Sequence, residues 1–226
     1  MAKTHGTDEY LEAVYVLQTE GETVLSSRLA DFLRVARPTV TQTVQRLTAQ
    51  GLIETIGTRE LTLTEAGQKR AESVLRRHRL LERWLTDELG LDWADAHVEA
   101  ARLEHSISPL VEQRLADKLG NPTTCPHGNV IPGSGIKQPM GMPLSEVQAP
   151  ATAIVVRIVE LAEEDLELLR FLHRAGMVPG ADIVIDGSRS PYEAGIAVRV
   201  SGQKYSLDEQ VARRVLVHVS AALANG

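Results

Sequence analysis

The sequence predicts a mainly α-helical protein with small β parts. Three observations predict this class. Apolar residues recur at helical spacing through most of the first half, and a pair of short alternating segments follows the third predicted helix. The last third holds further alternating segments separated by Gly and Pro. A chain of 226 residues is long enough for two or three small domains.

Three helices are predicted before residue 52. Residues 8–19 space their apolar side chains as in a helix, and residues 25–34 form a second helix that Ser26 or Ser27 can cap. The third begins at Pro38, a residue suited to a first helical turn, and stops at Gly51. Two short helices across a tight turn indicate a helix-turn-helix.

A β-hairpin is predicted directly after these helices. Residues 52–56 and 60–64 alternate in polarity around the turn Gly57-Thr58-Arg59. A hairpin at this place is the wing of a winged helix-turn-helix, and winged helices bind double-stranded DNA with the second helix of the motif.

The predicted DNA surface is basic although the whole chain is acidic, with a net charge of -6. Residues 25–59 contain five Arg against one Asp and one Glu, a local charge of +3. We expect base contacts from the third helix and phosphate contacts from the arginines. The predicted DNA-binding residues are Arg28, Arg37, Pro38, Thr39, Thr41, Gln42, Arg46 and Arg59. The alternative is that these side chains form an ordinary solvated face.

Composition excludes several other classes. No apolar run reaches 18 residues and the first ten residues lack an apolar core, so we expect a cytoplasmic protein without a membrane span. The single Cys excludes an intramolecular disulfide. An aromatic content of 4% argues against a stacking platform for single-stranded nucleic acid.

Two further helices are predicted in the middle of the chain. Residues 64–90 form a long helix capped by Thr64, whose six basic side chains we interpret as mainly a solvated face. Residues 109–120 form an amphipathic helix that needs a partner surface, which antiparallel pairing across a two-fold axis of a homodimer would supply.

Three short motifs carry residues that bind metal ions. In the segment HVEAARLEH, helical spacing puts His97, Glu104 and His105 on one face. His78 and Glu82 are four residues apart on the long helix, and Cys125 and His127 flank a proline. Each motif alone is also typical of a surface pair or a small buried residue. Their combination predicts a cation site.

The last third is predicted to begin with a linker. Residues 121–150 contain six prolines and four glycines. A strand over 151–161, a helix over 163–174 and strands at 182–186, 193–200 and 203–206 follow, and a helix from Asp208 ends the chain. This pattern predicts a small SH3-like barrel. We place the domains at 1–70 (winged helix-turn-helix), 71–140 (helical metal-binding and dimerisation part), 141–150 (linker) and 151–226 (SH3-like, FeoA-like).

The chain resembles the metal-dependent transcriptional repressors of the diphtheria toxin repressor and manganese transport regulator family. The likeness spans nearly the whole length. It is carried by DEYLEAVYVL, RPTVTQTVQRLTAQGLI, RHRLLERWL, HVEAARLEHSIS and, most specifically, NPTTCPHGNVIP, which is typical of the manganese-responsive, three-domain members. The resemblance implies a dimer that binds a palindromic operator when two divalent-metal sites per subunit are loaded, and no enzymatic activity.

The resemblance also implies two ligand sets. The primary site would use Glu9, Glu12, Glu104 and His105, and the ancillary site His78, Glu82, His97, Cys125 and His127, completed by Glu163 or Glu164. The chain departs from the family pattern at one position. Ala101 stands where members have a ligand, so a backbone carbonyl, a water molecule or Glu99 would have to substitute.

We expect the ion to join the first helix to the middle helices and so set the DNA-reading arrangement. Oxygen and nitrogen donors favour Mn(II) first and Fe(II) next, although affinity alone would favour Zn or Cu. Two alternatives remain. A metallohydrolase also uses His and Glu clusters, and a winged-helix regulator could respond to an organic ligand while its metal is only structural.

Overall fold

The computed structural model describes residues 6–186 and 195–222. The chain divides into two compact units, Met1–Arg77 and His78–Gly226. The predicted class is confirmed, since helices dominate both the first unit and the start of the second, and an antiparallel sheet follows. No helix within the described ranges is long and apolar enough to span a bilayer.

The first unit begins with three helices, α1 (Thr7–Thr19), α2 (Ser26–Leu33) and α3 (Arg37–Ala49). Their apolar stripes are buried, with Leu11, Leu29 and Leu47 at 0% exposure. Burying each such side chain contributes roughly 1.5–3 kcal/mol. The expected serine cap of α2 is absent, because Leu25 occupies the N-cap position and no side chain caps the helix.

The hairpin wing is confirmed. Strands β1 (Ile53–Ile56) and β2 (Glu60–Leu63) pair antiparallel, with Ile56 opposite Glu60. Gly57 supplies the positive φ of 59° that starts the turn.

Helix α4 (Glu65–Asp87) begins directly after the wing. Thr64 caps it, as predicted, by accepting the Gly67 N–H at 3.1 Å. Gly67 lies so close to the wing that a Cβ there would come 1.9 Å from the Leu52 carbonyl oxygen. The helix continues into the second unit and carries His78 and Glu82 there.

Two more helices lie in the second unit. Asp92 caps α5 (Trp93–Leu103), and Ser108 caps α6 (Pro109–Lys118). The prediction that α5 reaches residue 105 is wrong, because the helix ends at Leu103 and Glu104 is its C-cap. Its small buried residues let α5 pack closely on α4 around Leu81 and Leu85.

The segment after α6 is not the open linker that its Pro and Gly content suggested. Residues 125–129 are buried, and Thr124 forms an isolated bridge with Val130. Further along, Met142–Pro143 form strand β3, and a 3-10 helix, Leu144–Glu146, buries Leu144. Proline and glycine shape a packed turn here because backbone and side-chain hydrogen bonds from neighbouring segments hold it.

The β part of the second unit is one antiparallel sheet in the order β3-β8-β4-β5-β6-β7. Its strands are β4 (Ala151–Ile158), β5 (Asp182–Ile185), β6 (Ile196–Val200), β7 (Gln203–Leu207) and β8 (Val215–Ala222). Helix α7 (Leu166–Arg174) packs on the sheet, and Trp93 and Leu144 share this core. Part of the predicted strand 193–200 lies outside the described residues.

The predicted long terminal helix is wrong. A helix of five residues, α8 (Glu209–Arg213), is followed by strand β8, which pairs with β4 along its length. The sequence VLVHV alternates β-branched residues, and Val215 and Val217 are 0% exposed. Burial of one face of a sheet requires this period of two, so the helix that DEQVARR forms does not continue into VLVHV.

Candidate metal centre

Six side chains able to bind a metal converge in the second unit. They come from four segments that lie far apart in sequence: α4, α5, the Cys-Pro-His turn, and the residues after the 3-10 helix Glu160–Ala162. The members are His78, Glu82, His97, Cys125, His127 and Glu163. We call this set the six-ligand cluster. All of them were predicted as candidate ligands, and their role as ligands stays a prediction.

One half of the cluster is formed by α4 and α5. Glu82 Oε1 lies 3.0 Å from His78 Nε2 and 2.9 Å from His97 Nδ1. The two imidazoles are 3.2 Å apart between His78 Nε2 and His97 Nδ1, and their rings meet edge to face. The i, i+4 spacing on α4 places His78 and Glu82 on one face, as the sequence indicated.

The other half is centred on His127. Its Nδ1 lies 3.1 Å from Glu163 Oε1, 3.7 Å from Glu82 Oε2 and 3.8 Å from Cys125 Sγ. Glu82 is 0% exposed and His127 is 1% exposed. Glu82 therefore faces ligands on both sides, one oxygen toward each half.

Two polar atoms at the centre are buried without a hydrogen bond. These are Glu82 Oε2 and His127 Nε2. A buried acceptor without a partner is costly, about 1–3 kcal/mol. A cation bound by Glu82 would remove that cost at its Oε2, and the imidazole, carboxylate and thiolate donors present are those of divalent transition metals. The residues therefore fit the ion that the resemblance implies.

The two buried histidines of the six-ligand cluster have raised pKa values because carboxylates surround them. Burial by itself lowers the pKa of His78, but attraction by Glu82 and hydrogen bonds to Glu104 and Glu82 outweigh it, so the pKa lies well above the ordinary value. The pKa of His127 is also well above its ordinary value, because attraction by Glu163 and Glu82 outweighs the lowering effect of burial. An ion that binds here must displace these protons.

The acidic members respond in the opposite direction. Burial raises the pKa of Glu82, yet His78 and His127 lower it well below the ordinary value. Burial also raises the pKa of Glu163, and His127 more than offsets this. Burial raises the pKa of the Cys125 thiol, with partial relief from His127.

Asn129 holds the His127 half together, and sequence reasoning missed it. Its amide nitrogen donates to Glu163 Oε1 at 2.7 Å and to the Ile158 carbonyl at 3.0 Å. Its amide oxygen accepts from Gln138 at 2.9 Å and Arg157 at 3.1 Å. The residue stands in the quoted motif NPTTCPHGNVIP, but an amide carries no charge and its spacing gives no ligand signal.

Two other residues were also missed. Arg79 is buried and donates to the Val130 carbonyl and to Glu160, which fixes α4 against the turn and the 3-10 helix. Trp93 packs edge to face on His127, with ring centroids 4.7 Å apart, and stacks on His173 at 5.1 Å. Burial is the main cause of the lowered pKa of His173.

The remaining predicted ligands lie elsewhere. Glu104 is buried next to His78, and its Oε1 lies 3.3 Å from His105 Nε2, whose side chain is 47% exposed. Glu9 and Glu12 belong to α1 of the first unit, where Glu9 Oε2 accepts the Gly6 N–H. Of the two alternatives in the third domain, Glu163 contacts His127, whereas Glu164 is exposed.

All predicted DNA-binding side chains are exposed on the first unit. They are Arg28, Arg37, Pro38, Thr39, Thr41, Gln42, Arg46 and Arg59. Arg28 forms an ion pair with Glu22 at 2.8 Å, and the Thr41 hydroxyl donates to the Arg37 carbonyl at 3.1 Å. Within residues 6–186 and 195–222, Arg37, Arg46 and Arg59 have no carboxylate partner, so their charges are available to phosphates.

The domains match known families in chain order. Residues 4–61 match the iron dependent repressor, N-terminal DNA binding domain. Residues 64–133 match the iron dependent repressor, metal binding and dimerisation domain, and residues 142–219 match the FeoA domain. The first two ranges together cover more than half of the chain.

Curated relatives and solved structures agree with these matches. The chain is 38% identical over 223 residues to the iron-dependent repressor IdeR of Mycobacterium tuberculosis (strain ATCC 25618 / H37Rv), covering 93% of this chain and 96% of the relative. It is 34% identical over 224 residues to the diphtheria toxin repressor of Corynebacterium glutamicum, and the match covers 93% of this chain and 95% of the relative. A solved manganese-dependent transcriptional repressor in complex with manganese superposes with a TM-score of 0.81, 29% identity, and coverage of 95% of this chain and 100% of that one.

Proposed function

This chain belongs to the iron-dependent repressor family, and we propose that Mn(II), with Fe(II) as the next choice, switches on its binding to operator DNA. The family consists of metal-dependent transcriptional repressors with a DNA-binding domain and a metal-binding and dimerisation domain. The observation that carries the proposal is the six-ligand cluster, whose central carboxylate has a buried oxygen without a hydrogen bond.

The choice of ion rests on the donor set. Five of the six ligands offer oxygen or nitrogen and one offers sulfur. Oxygen and nitrogen donors suit Mn(II) and Fe(II), whereas sites dominated by thiolates select softer ions. One curated relative, IdeR, is named for iron and the solved structure for manganese, so both ions belong in the experiment below.

We propose that the protein binds a palindromic operator as a homodimer, controls genes of metal uptake, and acts in the cytoplasm. Helix α3 reads bases and the unpaired arginines bind phosphates. The proposed domain limits remain 1–70, 71–140, 141–150 and 151–226. A metal favours DNA binding only if it binds the DNA-competent arrangement more tightly.

A second ion is proposed at the remaining ligands predicted from the resemblance, Glu9, Glu12, Glu104 and His105. His105 and Glu104 are adjacent in sequence and their side chains face each other at 3.3 Å. Ala101 leaves this set one side chain short of the family pattern.

The decisive experiment measures operator binding by fluorescence anisotropy, with chelator-treated protein and with Mn(II), Fe(II), Co(II) or Zn(II) added. We expect binding only with metal, and weaker binding for His127→Ala and His105→Ala. The exposed His218 provides a matched control, since His218→Ala should bind as the unaltered protein does. Operator binding of equal strength with and without metal would contradict the proposal.

The same preparation tests the two alternatives. If the protein binds its operator without metal, and an organic ligand changes that binding, the result would favour a winged-helix regulator that responds to an organic ligand. Steady hydrolysis of generic esters by the loaded protein would favour a metallohydrolase. Burial of Glu82 and His127 supports the repressor, because a substrate would need access to the ion.

A further inference from the structure

Helix α7 and strand β7 form the walls of a surface cleft of about 430 Å³. This volume lies within the range of roughly 300–1,000 Å³ that small-molecule sites occupy. The proposed function does not use the cleft, because no predicted metal ligand or DNA-binding residue lines it. Among the residues that the structure describes, its lining consists of Glu167, Arg170, Phe171, Arg174, Ala175 and Tyr205.

The middle of the cleft is aromatic. The leucines at 168, 169 and 172 turn one face of α7 into the core, whereas the lining residues follow the spacing i, i+3, i+4 and i+7 on another face. Phe171 on that face is 37% exposed, and its ring meets Tyr205 of β7 edge to face, with 5.9 Å between the centroids. Tyr205 packs against the sheet core, and its hydroxyl donates to Gln203 Oε1 at 2.6 Å. The two rings therefore form a fixed apolar surface for a flat ligand.

The two arginines of the cleft differ in their partners. Arg170 Nη2 lies 2.9 Å from Asp95 Oδ1, and its Nε lies 3.7 Å from Asp92 Oδ2, so carboxylates of α5 and its N-cap already compensate this charge. Arg174 lies one turn further along α7 and is exposed. Within residues 6–186 and 195–222 no carboxylate pairs with Arg174. Its guanidinium is available to an anion, and it suits a carboxylate best because it can donate two parallel hydrogen bonds to one.

Glu167 decides at which end of the cleft an anionic group fits. It lies seven residues before Arg174 on α7, which separates their backbones by about 10 Å at 1.5 Å per residue. A carboxylate bound near Glu167 would be repelled, and the cation there, Arg170, already has partners. The anionic group of a ligand therefore belongs at the Arg174 end, with its apolar part toward Phe171.

We propose that this cleft binds a small aromatic carboxylate, whose carboxylate contacts Arg174 and whose ring covers Phe171 and Tyr205. The cleft gives the chain a site for an organic anion in addition to its proposed response to a metal ion. The inference goes beyond the proposed function, and neither metal binding nor DNA binding enters its test.

Isothermal titration calorimetry of the full chain with 2-naphthoate and 2-naphthamide tests the proposal. The two probes share one ring system, and only 2-naphthoate carries a negative charge. We expect 2-naphthoate to bind at one site per chain about 10-fold more tightly than 2-naphthamide, and to bind more weakly as the salt concentration rises. Arg174→Gln should weaken 2-naphthoate binding by about 10-fold and leave 2-naphthamide binding unchanged. Phe171→Ala should weaken the binding of both probes.

Arg213→Gln is the matched control. Arg213 is an exposed arginine of α8 that pairs with Glu209 at 2.5 Å, so this variant should bind both probes as the unaltered protein does. Equal affinities for the two probes, undiminished 2-naphthoate binding by Arg174→Gln, or the absence of saturable 2-naphthoate binding would each overturn the proposal. If Phe171→Ala fails to fold by circular dichroism, the exposed Arg174→Gln variant decides. All of these outcomes leave metal-dependent operator binding standing.

Discussion

His78 Nδ1 lies 2.6 Å from Glu104 Oε2, while Nε2 of the same ring faces Glu82 at 3.0 Å. Glu104 therefore fixes the orientation of the imidazole from the side opposite the six-ligand cluster. A carboxylate behind a metal-binding histidine sets its tautomer and raises its basicity.

We expect Glu104→Ala to lower the affinity of the cluster for Co(II) by about 10–100-fold. The measurement is competition against a chromophoric chelator in the His105→Ala protein, so that the other proposed site contributes little. Glu88→Ala is the control, because Glu88 forms only a surface ion pair with Lys118 at 3.1 Å. Equal affinities for both variants would mean that Glu104 does not orient His78.

Asn129→Ala should destabilise the chelator-treated protein by about 3 kcal/mol, since it removes four hydrogen bonds of one buried amide, three of them to groups of buried residues. Urea unfolding of the chelator-treated protein measures this. The surface amide of Gln113, bonded to Asp117, gives the control Gln113→Ala, for which a change within about 0.5 kcal/mol is expected. A similar small change for Asn129→Ala would refute the role assigned to this residue.

Gly128→Ala should cost about 3 kcal/mol or more and weaken metal binding. Its φ is +92°, and a Cβ would come 2.6 Å from the Val156 carbonyl oxygen, so the turn that carries Cys125 and His127 would have to move. Gly120→Ala separates the two effects, because Gly120 has φ +72° with no atom near its Cβ position. We expect about 1 kcal/mol there. Thermal unfolding and Co(II) titration of both variants check the difference.

Gln42→Ala and Arg59→Ala should affect DNA binding in different ways. Gln42 is exposed on the predicted reading face of α3, and its loss should relax base preference at one position at a cost of about 1–3 kcal/mol. Arg59 lies at the wing turn without a carboxylate partner in the described ranges, so its loss should weaken binding to every sequence and reduce the salt slope by about 1. Anisotropy with operator variants at several salt concentrations measures both. Uniform losses from both variants would refute the assignment.

The stability of the metal-free protein should fall as the pH rises above neutrality. The folded pKa values of His78 and His127 lie well above the ordinary value of 6.5. The two protonated histidines therefore contribute their full share to the free energy of unfolding below about pH 6.5. That share is lost as the pH rises through their raised pKa values. The lowered pKa values of Glu82 and Glu163 act at the other end, where stability is lost as the pH falls below about 4.5.

Urea unfolding between about pH 6 and pH 9 with chelator present tests this prediction. The free energy of unfolding should decrease across the upper part of this range. The double variant His78→Gln, His127→Gln should show a flatter dependence. A rising free energy in the unaltered protein would contradict the assigned protonation.

Local pattern was sufficient for much of this protein. Helical spacing of apolar residues predicted α1 to α4 and α6, and Pro38 and Thr64 marked starts that the helices use. The Gly57 turn between alternating segments predicted the wing. These features depend on neighbours within a few residues, which a sequence displays directly.

The end of the chain shows where local pattern fails. The segment after Asp208 has helical capping and charge, and α8 does form, but β8 follows after one intervening residue. Pairing of β8 with β4, more than fifty residues earlier in the chain, decides between two structures that the local sequence permits.

The sequence by itself determined which side chains could bind a cation and that they lie on separate segments. Only the tertiary structure decided how they are grouped. His97 of α5 contacts Glu82 of α4, and Glu104 contacts the opposite side of the His78 ring. Glu163 rather than Glu164 faces His127. It alone showed Asn129 as the residue that orients Glu163. The physical reason is that coordination requires atoms within a few ångströms. Distances between segments far apart in sequence are set by packing and buried hydrogen bonds, which leave no periodic trace along the chain.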